Sequence, residues 1–196
     1  SFNGTANITA AAVTITAAAQ TKTYDGNTNV SNTSAYTVNG LIGSESISGV
    51  TLAYTDKNAG AGNKTIAVSN ATAGANTSLS NYNVTLVNST TSAINKANIT
   101  AITGVTLSDK VYDGTLNATF SASAANFTDK VAGDVLTLTG GTGSFASKNV
   151  GTAINVSVTN LNLGGADAAN YNVTGGTLSF NGTANITAAA VTITAA

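Results

Sequence analysis

The side chains best suited to acid–base work or cation binding in this chain are eight carboxylates: Asp25, Glu45, Asp56, Asp109, Asp113, Asp129, Asp134 and Asp167. They are spread thinly, and no two are placed as an evident acid–base pair of the kind glycoside hydrolysis needs. The chain has no Cys and no His. Ser–His–Asp and Cys–His nucleophiles are therefore excluded, and zinc, copper and haem lose their usual ligands. The chain is expected not to be an enzyme and to carry no cofactor. Calcium needs roughly six to eight oxygens, with carboxylates close together. Asp109 with Asp113, or Asp129 with Asp134, are the pairs that a structural calcium at a domain junction would use. Gly140-Gly141-Thr142-Gly143-Ser144-Phe145 begins like a Gly-Gly-x-Gly-x-Asp calcium repeat but has Phe145 where the acid is required.

A second candidate occurs twice: Tyr24-Asp25-Gly26 and Tyr112-Asp113-Gly114, each two residues after a lysine. A Tyr–Asp pair is capable of holding sugar or metal. Turn chemistry accounts for all three residue types more simply. The tyrosine packs at the end of the fold, the aspartate caps the turn, and the glycine takes positive φ. Gly141-Thr142-Gly143-Ser144-Phe145-Ala146 mimics a dinucleotide fingerprint, but that fingerprint must open a helix. Here Lys148-Asn149-Val150-Gly151 and a further strand pattern follow, so the run reads as a glycine-rich hairpin. Asn-x-Ser/Thr triplets are many, as a composition this rich in Asn, Thr and Ser gives, and include those at Asn7, Asn83, Asn98, Asn117 and Asn172. They mark sites where sugar could be attached. A Lys–Asn isopeptide cross-link would need a buried lysine, and the lysines read as solvated beside turns.

These residues need elements to hold them, and the composition names the class. Charged residues make up 8% of the chain, the formal net charge is −1, and Pro, Met and Trp are absent. So few cations leave nothing to replace phosphate counterions, so no nucleic acid is expected as a partner. No stretch approaches the roughly 20 apolar residues of a membrane span, and no signal peptide is recognisable, so an export signal is expected elsewhere. Thr, Val and Ile favour pleated strands, while Asn, Gly and Ser favour turns. Apolar residues alternate at Val13/Ile15, Val50/Leu52/Tyr54, Ile66/Val68, Tyr82/Val84/Leu86, Leu136/Leu138, Ile154/Val156/Val158, Tyr171/Val173 and Leu178/Phe180. Turn clusters separate them, notably 58–63 and 140–143. The fold class expected is all-β, as two tandem immunoglobulin-like β-sandwiches in an elongated array.

Repetition is the strongest signal. SFNGTANITAAAVTITAA at 1–18 returns unchanged at 179–196, a period of 178 (179 − 1). A half-period lies inside it. Lys22-Thr23-Tyr24-Asp25-Gly26 returns as Lys110-Val111-Tyr112-Asp113-Gly114 at an offset of 88 (112 − 24). Lys57-Asn58-Ala59-Gly60 returns at 148–151 at an offset of 91 (148 − 57), and Asn81-Tyr82-Asn83-Val84 at 170–173 at an offset of 89 (170 − 81). Ala97-Asn98-Ile99-Thr100-Ala101, matching 6–10 and 184–188, reads as the end of the first copy. The expected division is residues 1–12 as the final strand of a preceding repeat, 13–101 as domain 1, 102–190 as domain 2 and 191–196 as the first strand of a following repeat. No Gly/Ser linker intervenes, so a stiff connection is expected.

Lys-x-Tyr-Asp-Gly, the 136–145 segment, Lys148-Asn149-Val150-Gly151-Thr152 and Gly165-Ala166-Asp167-Ala168-Ala169-Asn170-Tyr171 together resemble the YDG and MBG repeat domains of large bacterial surface adhesins. The first copy departs from that pattern at Ser78-Leu79-Ser80-Asn81-Tyr82 and at 50–56, which lacks the glycine pair. The resemblance implies Ig-like tandem repeats, secreted or outer-membrane-associated, on the bacterial surface. It implies no catalytic residue. The expected role is a non-catalytic stalk or spacer in adhesion or biofilm, with adjacent copies of the repeat as neighbours. A self-assembling extracellular fibre, pairing with other chains of the same kind, is the alternative. A carbohydrate- or receptor-binding module is the third, and it would need an exposed aromatic platform.

Overall fold

A computed structural model describes residues 3–195; Ser1, Phe2 and Ala196, the outermost residues of the 1–12 and 191–196 segments, lie outside the described residues. The fold is all-β and sandwich-like, in two units, Ser1–Lys96 and Ala97–Ala196. Among the described residues no helix is long and apolar enough to cross a membrane.

Unit 1 runs β1 (Ala11–Ala17), β2 (Thr21–Thr23), β3 (Tyr36–Asn39), β4 (Ile47–Tyr54), β5 (Gly60–Ala73), β6 (Tyr82–Val87) and β7 (Ser89–Asn95). Its strands form two sheets, ordered β3-β1-β6 and β2-β7-β5-β4. β1 is the centre of the first sheet, antiparallel to β3 (Ile15 opposite Val38) and parallel to β6 (Ala11 opposite Tyr82). Period-two alternation sends Val13, Ile15, Leu52, Tyr54, Ile66, Val68, Tyr82 and Ile94 into one core. Leu86, expected with them, is 39% exposed near the end of β6. Asn88 alone separates β6 from β7, so one residue carries the chain from the first sheet to the second. Its Oδ1 accepts the Val68 N–H at 3.1 Å, supplying a partner just past Ile66–Ser89, the last β5–β7 pair.

Unit 2 runs β8 (Ala97–Ile99), β9 (Ile102–Thr103), β10 (Thr106–Leu107), β11 (Lys110–Val111), β12 (Asn117–Ala118), β13 (Phe120–Ser121), β14 (Asn126–Phe127), β15 (Thr137–Phe145), β16 (Gly151–Gly164), β17 (Tyr171–Val173) and β18 (Leu178–Thr187). A five-stranded sheet, β11-β18-β16-β15-β12, carries Phe145, Val156, Val158, Leu161, Leu178, Ala184 and Ile186 into the core. The remaining strands form three short ladders, β17-β8, β14-β9 and β10-β13, which bring Ile99, Ile102 and Tyr171 to that core. The segment matching β1 is split here into β8 and β9, with Thr100 and Ala101 between them.

Two expectations are corrected. The boundary between copies falls after Lys96 and not after Ala101. Ala97-Asn98-Ile99 pairs in parallel with Tyr171-Asn172-Val173, as Ala11-Ala12-Val13 pairs with Tyr82-Asn83-Val84. The segment therefore opens unit 2 instead of closing unit 1, and likewise Ala11 and Ala12 already belong to unit 1. The glycine runs are also not turns: Gly60-Ala61-Gly62-Asn63 lies in β5, and Gly140-Gly141-Thr142-Gly143 lies in β15. Packing explains the second run. A Cβ on Gly141 would stand 2.7 Å from Leu161 Cδ2 and 2.9 Å from Phe120 Cζ, and Gly141 sits at φ +96.

The two identical end segments fold in complementary halves. At the C-terminal copy the first half is paired, as the end of β18, with Ile186 1% exposed; at the N-terminal copy its equivalent, Ile8, is 101% exposed. At the N-terminal copy the second half is paired, as β1, with Val13 and Ile15 at 1% and 0%. Their equivalents Val191 and Ile193 are 84% and 91% exposed. Residues 3–10 and 188–195 lie in no strand.

Candidate functional site

The duplicated Lys-x-Tyr-Asp-Gly turn is the densest polar construction in each unit. β2 pairs with β7 so that Lys22 stands opposite Ile94, and the Tyr24 N–H then donates to Asn95 O at 2.8 Å. That last ladder bond ends the strand and starts the turn. Asp25 Oδ1 accepts the Asn27 N–H at 3.2 Å, and Gly26 takes φ +77, where a Cβ would be strained. The lysine closes the loop from below. Lys22 Nζ donates to Asp25 Oδ1 at 2.7 Å, Asn27 O at 2.8 Å and Asn27 Oδ1 at 3.1 Å, which uses all three of its protons. It also lies 5.4 Å from the centre of the Tyr54 ring, within cation–π range. Tyr54 is anchored in turn, its hydroxyl donating to Gln20 O and Ala93 O, both at 3.1 Å.

Unit 2 repeats the arrangement with different residues. Lys110 Nζ donates to Asp113 Oδ1 and Thr115 O, both at 2.8 Å, and lies 5.3 Å from the Phe145 ring centre. Asp113 Oδ1 accepts from the Thr115 N–H at 2.8 Å and its hydroxyl at 2.9 Å, and Gly114 sits at φ +77. The lysine side chains are 7% and 16% exposed, so the expectation of solvated lysines fails at these two positions: the aromatic ring covers the stem and the turn satisfies the charge. Tyr24 is buried at 3%, but Tyr112 is 41% exposed, because β11 is a two-residue edge strand that leaves Val111 and Tyr112 uncovered.

A second duplicated device was not foreseen from the sequence. Tyr82 Oη donates to Glu45 Oε2 and accepts the Ile42 N–H at 3.1 Å. Tyr171 Oη donates to Asp134 Oδ2 at 2.7 Å and accepts the Val131 N–H at 2.9 Å. All three partners recur at the same offset of 89 (131 − 42, 134 − 45, 171 − 82). That shared offset was the signal available, hidden because Glu replaces Asp and the intervening residues differ.

The electrostatics follow these contacts. Hydrogen bonds from Lys110 and from the Thr115 N–H and hydroxyl hold the Asp113 carboxyl down at about 2. Burial pushes Asp25 up, but Lys22 and the Asn27 N–H outweigh it and leave that carboxyl below its ordinary value. The Asn185 N–H and side-chain amide lower Asp109, binding at 2.6 and 2.9 Å. Burial first, then the hydrogen bond to Asp134, pushes the Tyr171 hydroxyl up to about 12.

The four acids a calcium would use are thus individually engaged with protein donors: Asp109 with Asn185, Asp113 with Lys110 and Thr115, Asp129 with the Thr100 hydroxyl at 2.7 Å, and Asp134 with Tyr171. No three acidic residues gather among the described residues. Tyr112 is the one exposed aromatic among the described residues, so no aromatic platform forms there. A groove in unit 2, lined by Phe120, Leu136, Leu138 and small or hydroxylic residues, has no charged side chain to orient a ligand.

The geometry identifies a twice-built structural turn, and the comparison with known families carries the same duplication. The YDG domain family matches residues 8–93 and again residues 95–179. The chain belongs to the YDG domain family. The two matches follow the two units, so each unit is one YDG domain with the Lys–Asp–Gly turn near its start and the Tyr–acid pair across its middle. No curated protein and no solved structure matches the chain.

Proposed function

We propose that the chain is a non-catalytic structural repeat of a large bacterial cell-surface adhesin, a spacer lying outside the cell. One observation carries the reading: the side chains with chemical potential are spent on the fold itself, and in the same way twice. Lys22 and Lys110 close turns over aromatic rings, and Glu45 and Asp134 hold buried tyrosine hydroxyls. A catalytic or binding site leaves such groups facing a cleft. The tandem YDG match and the perfect repeat of 18 residues support a role in which length is the product. The low charge and the hydroxyl- and amide-rich outer faces suit a hydrated exterior, and Asn7, Asn83, Asn98, Asn117 and Asn172, each opening an Asn-x-Thr triplet, stand exposed, available to sugar attachment.

The test has two arms. Antibody raised against the two-unit chain should label intact, unpermeabilised cells. Removing one 178-residue period (179 − 1) from the full-length protein should shorten its reach without changing what it binds. Labelling only after permeabilisation, or loss of a specific ligand on repeat removal, would overturn the reading.

A further inference from the structure

We infer that Asp25 and Asp113 are latent sites of isoaspartate formation, and that Lys22 and Lys110 are the groups that hold them closed. The inference concerns the chemical lifetime of the duplicated turn and stands apart from the spacer reading.

The liability comes from the dipeptide. Of the aspartates in the chain, only Asp25 and Asp113 precede a glycine. At an Asp–Gly bond the glycine amide nitrogen can attack the aspartate Cγ, because no glycine side chain obstructs it. The N–Cγ bond forms, the carboxyl hydroxyl leaves with the amide proton as water, and a five-membered succinimide closes. Water then adds to one of its two carbonyls. Opening at Cγ restores aspartate. Opening at the main-chain carbonyl leaves the backbone routed through Cγ, as isoaspartate of unchanged mass. Water is the one reactant, and the Asp25 and Asp113 side chains are 46% and 50% exposed to it.

The fold cannot remove the liability at the glycine. Gly26 and Gly114 both sit at φ +77, where a Cβ would be strained. Crowding does not shield Gly114 either, since nothing lies within 4 Å of a Cβ added there. Protection must therefore act on the acid. The hydroxyl leaves from a protonated carboxyl, whereas the oxygen of a carboxylate is a far poorer leaving group. Lys22 Nζ binds Asp25 Oδ1 at 2.7 Å, and Lys110 Nζ binds Asp113 Oδ1 at 2.8 Å. Each ammonium favours the ionised form. Among the described residues three ion pairs form, and two of them fall on these two aspartates.

The turn pins the same oxygen from a second side. Asp25 Oδ1 accepts the Asn27 N–H at 3.2 Å. Asp113 Oδ1 accepts the Thr115 N–H at 2.8 Å and the Thr115 hydroxyl at 2.9 Å. Held from two sides, the carboxylate loses the rotation that brings its Cγ onto the glycine nitrogen. Asp113 has one donor more and shorter bonds to the turn, so it is the better guarded of the two.

Escape from this control would damage the sheet edge. Isoaspartate inserts one extra backbone carbon between two fixed points. The Tyr24 N–H to Asn95 O and Tyr54 N–H to Thr28 O bonds bracket the first turn, and the Tyr112 N–H to Thr187 O and Phe145 N–H to Leu116 O bonds bracket the second, all at 2.8 Å. The added length falls inside the bracket, where it pushes the edge strand β2 or β11 away from its neighbour.

The test ages the folded two-unit chain at mildly acidic pH and locates isoaspartate by peptide mapping with electron-transfer fragmentation. Lys110→Met should raise the rate at Asp113 severalfold and leave Asp25 unchanged; Lys22→Met should do the reverse. Rates equal to wild type in both variants overturn the inference. Tyr171→Phe loosens unit 2 without touching the turn, so Asp113 should keep its wild-type rate in that variant. A rise matching that of Lys110→Met would mean that folding alone protects the bond, and the lysine role would fall. Should the lysine variants not fold, the wild type decides. Folded, Asp25 should isomerise faster than Asp113, and in urea, where the turn is gone, the two rates should converge. A folded order that is reversed, or that persists unchanged in urea, rules out protection by the turn's donors.

Discussion

Tyr171 donates its hydroxyl proton to Asp134 Oδ2 at 2.7 Å, with both residues almost wholly buried in unit 2. A buried carboxyl stripped of a donor retains its desolvation cost, which is the larger part of the energy at stake. Tyr171→Phe should therefore destabilise unit 2 by about 1–3 kcal/mol. Denaturant unfolding measures it. A double-mutant cycle with Asp134→Asn should show coupling, because the two residues share one bond. Additive effects would mean that the hydroxyl does not serve the acid.

The same tyrosine should limit stability in alkali, and Asp113 in acid. Tyr171 is pushed up to about 12, above the ordinary tyrosine value of about 10. Its contribution is full below the unfolded value and is lost as pH rises through about 12. Asp113 is held at about 2, below the ordinary aspartate value of about 3.9, so its contribution is present above the unfolded value and is lost as pH falls through the folded one. Asp25, Asp56 and Asp109 are lowered too and add acid sensitivity of the same sign. Unfolding midpoints followed against pH should fall at both ends. Tyr171→Phe should flatten the alkaline limb and Asp113→Asn part of the acid one.

Two glycines with positive φ should differ in their response to alanine. Gly114 sits at φ +77 with open space around an added Cβ, so Gly114→Ala carries backbone strain alone, about 1–2 kcal/mol. Gly40 sits at φ +101 with the Ala12 carbonyl 2.3 Å from an added Cβ. Gly40→Ala should cost more than about 3 kcal/mol, since strain and a backbone collision act together and β1 must move. Thermal unfolding of the two variants compares them directly, and equal losses would refute the close approach.

Lys22→Met keeps a stem over the Tyr54 ring and removes the ammonium. The Asp25 partner is half exposed, so the ion pair itself is worth little, and the bonds to Asn27 make up the rest. A loss of about 1–2 kcal/mol is expected in urea unfolding. Lys22→Arg should not restore it fully, because a planar guanidinium cannot present three protons to the same tight turn.

Strand identity was legible where one face meets the core. Val13/Ile15, Leu52/Tyr54, Ile66/Val68 and Val156/Val158 alternate in sequence and are buried in the structure. The glycine runs misled because glycine serves two purposes, a turn or room for a neighbour, and only the positions of Leu161 and Phe120 decide between them at Gly141. The boundary at Lys96 was hidden because Ala-Asn-Ile-Thr serves both as the end of β18 and as the start of unit 2. At the site, the Asp–Gly turn was readable from local residue types. The lysine beneath it was not, since its ring partners, Tyr54 and Phe145, are 32 and 35 residues away (54 − 22, 145 − 110) and differ between copies.

The division of the 18-residue segment between two sandwiches has a consequence for inheritance. A gene that gains or loses one period by crossing over within that segment changes the protein by 178 residues (179 − 1). Wherever in the segment the crossover falls, the recombinant copy still encodes a closing half followed by an opening half. No product of such an event is left with a sandwich short of a strand. Gain or loss of one period by such a crossover therefore leaves every encoded sandwich with its full set of strands.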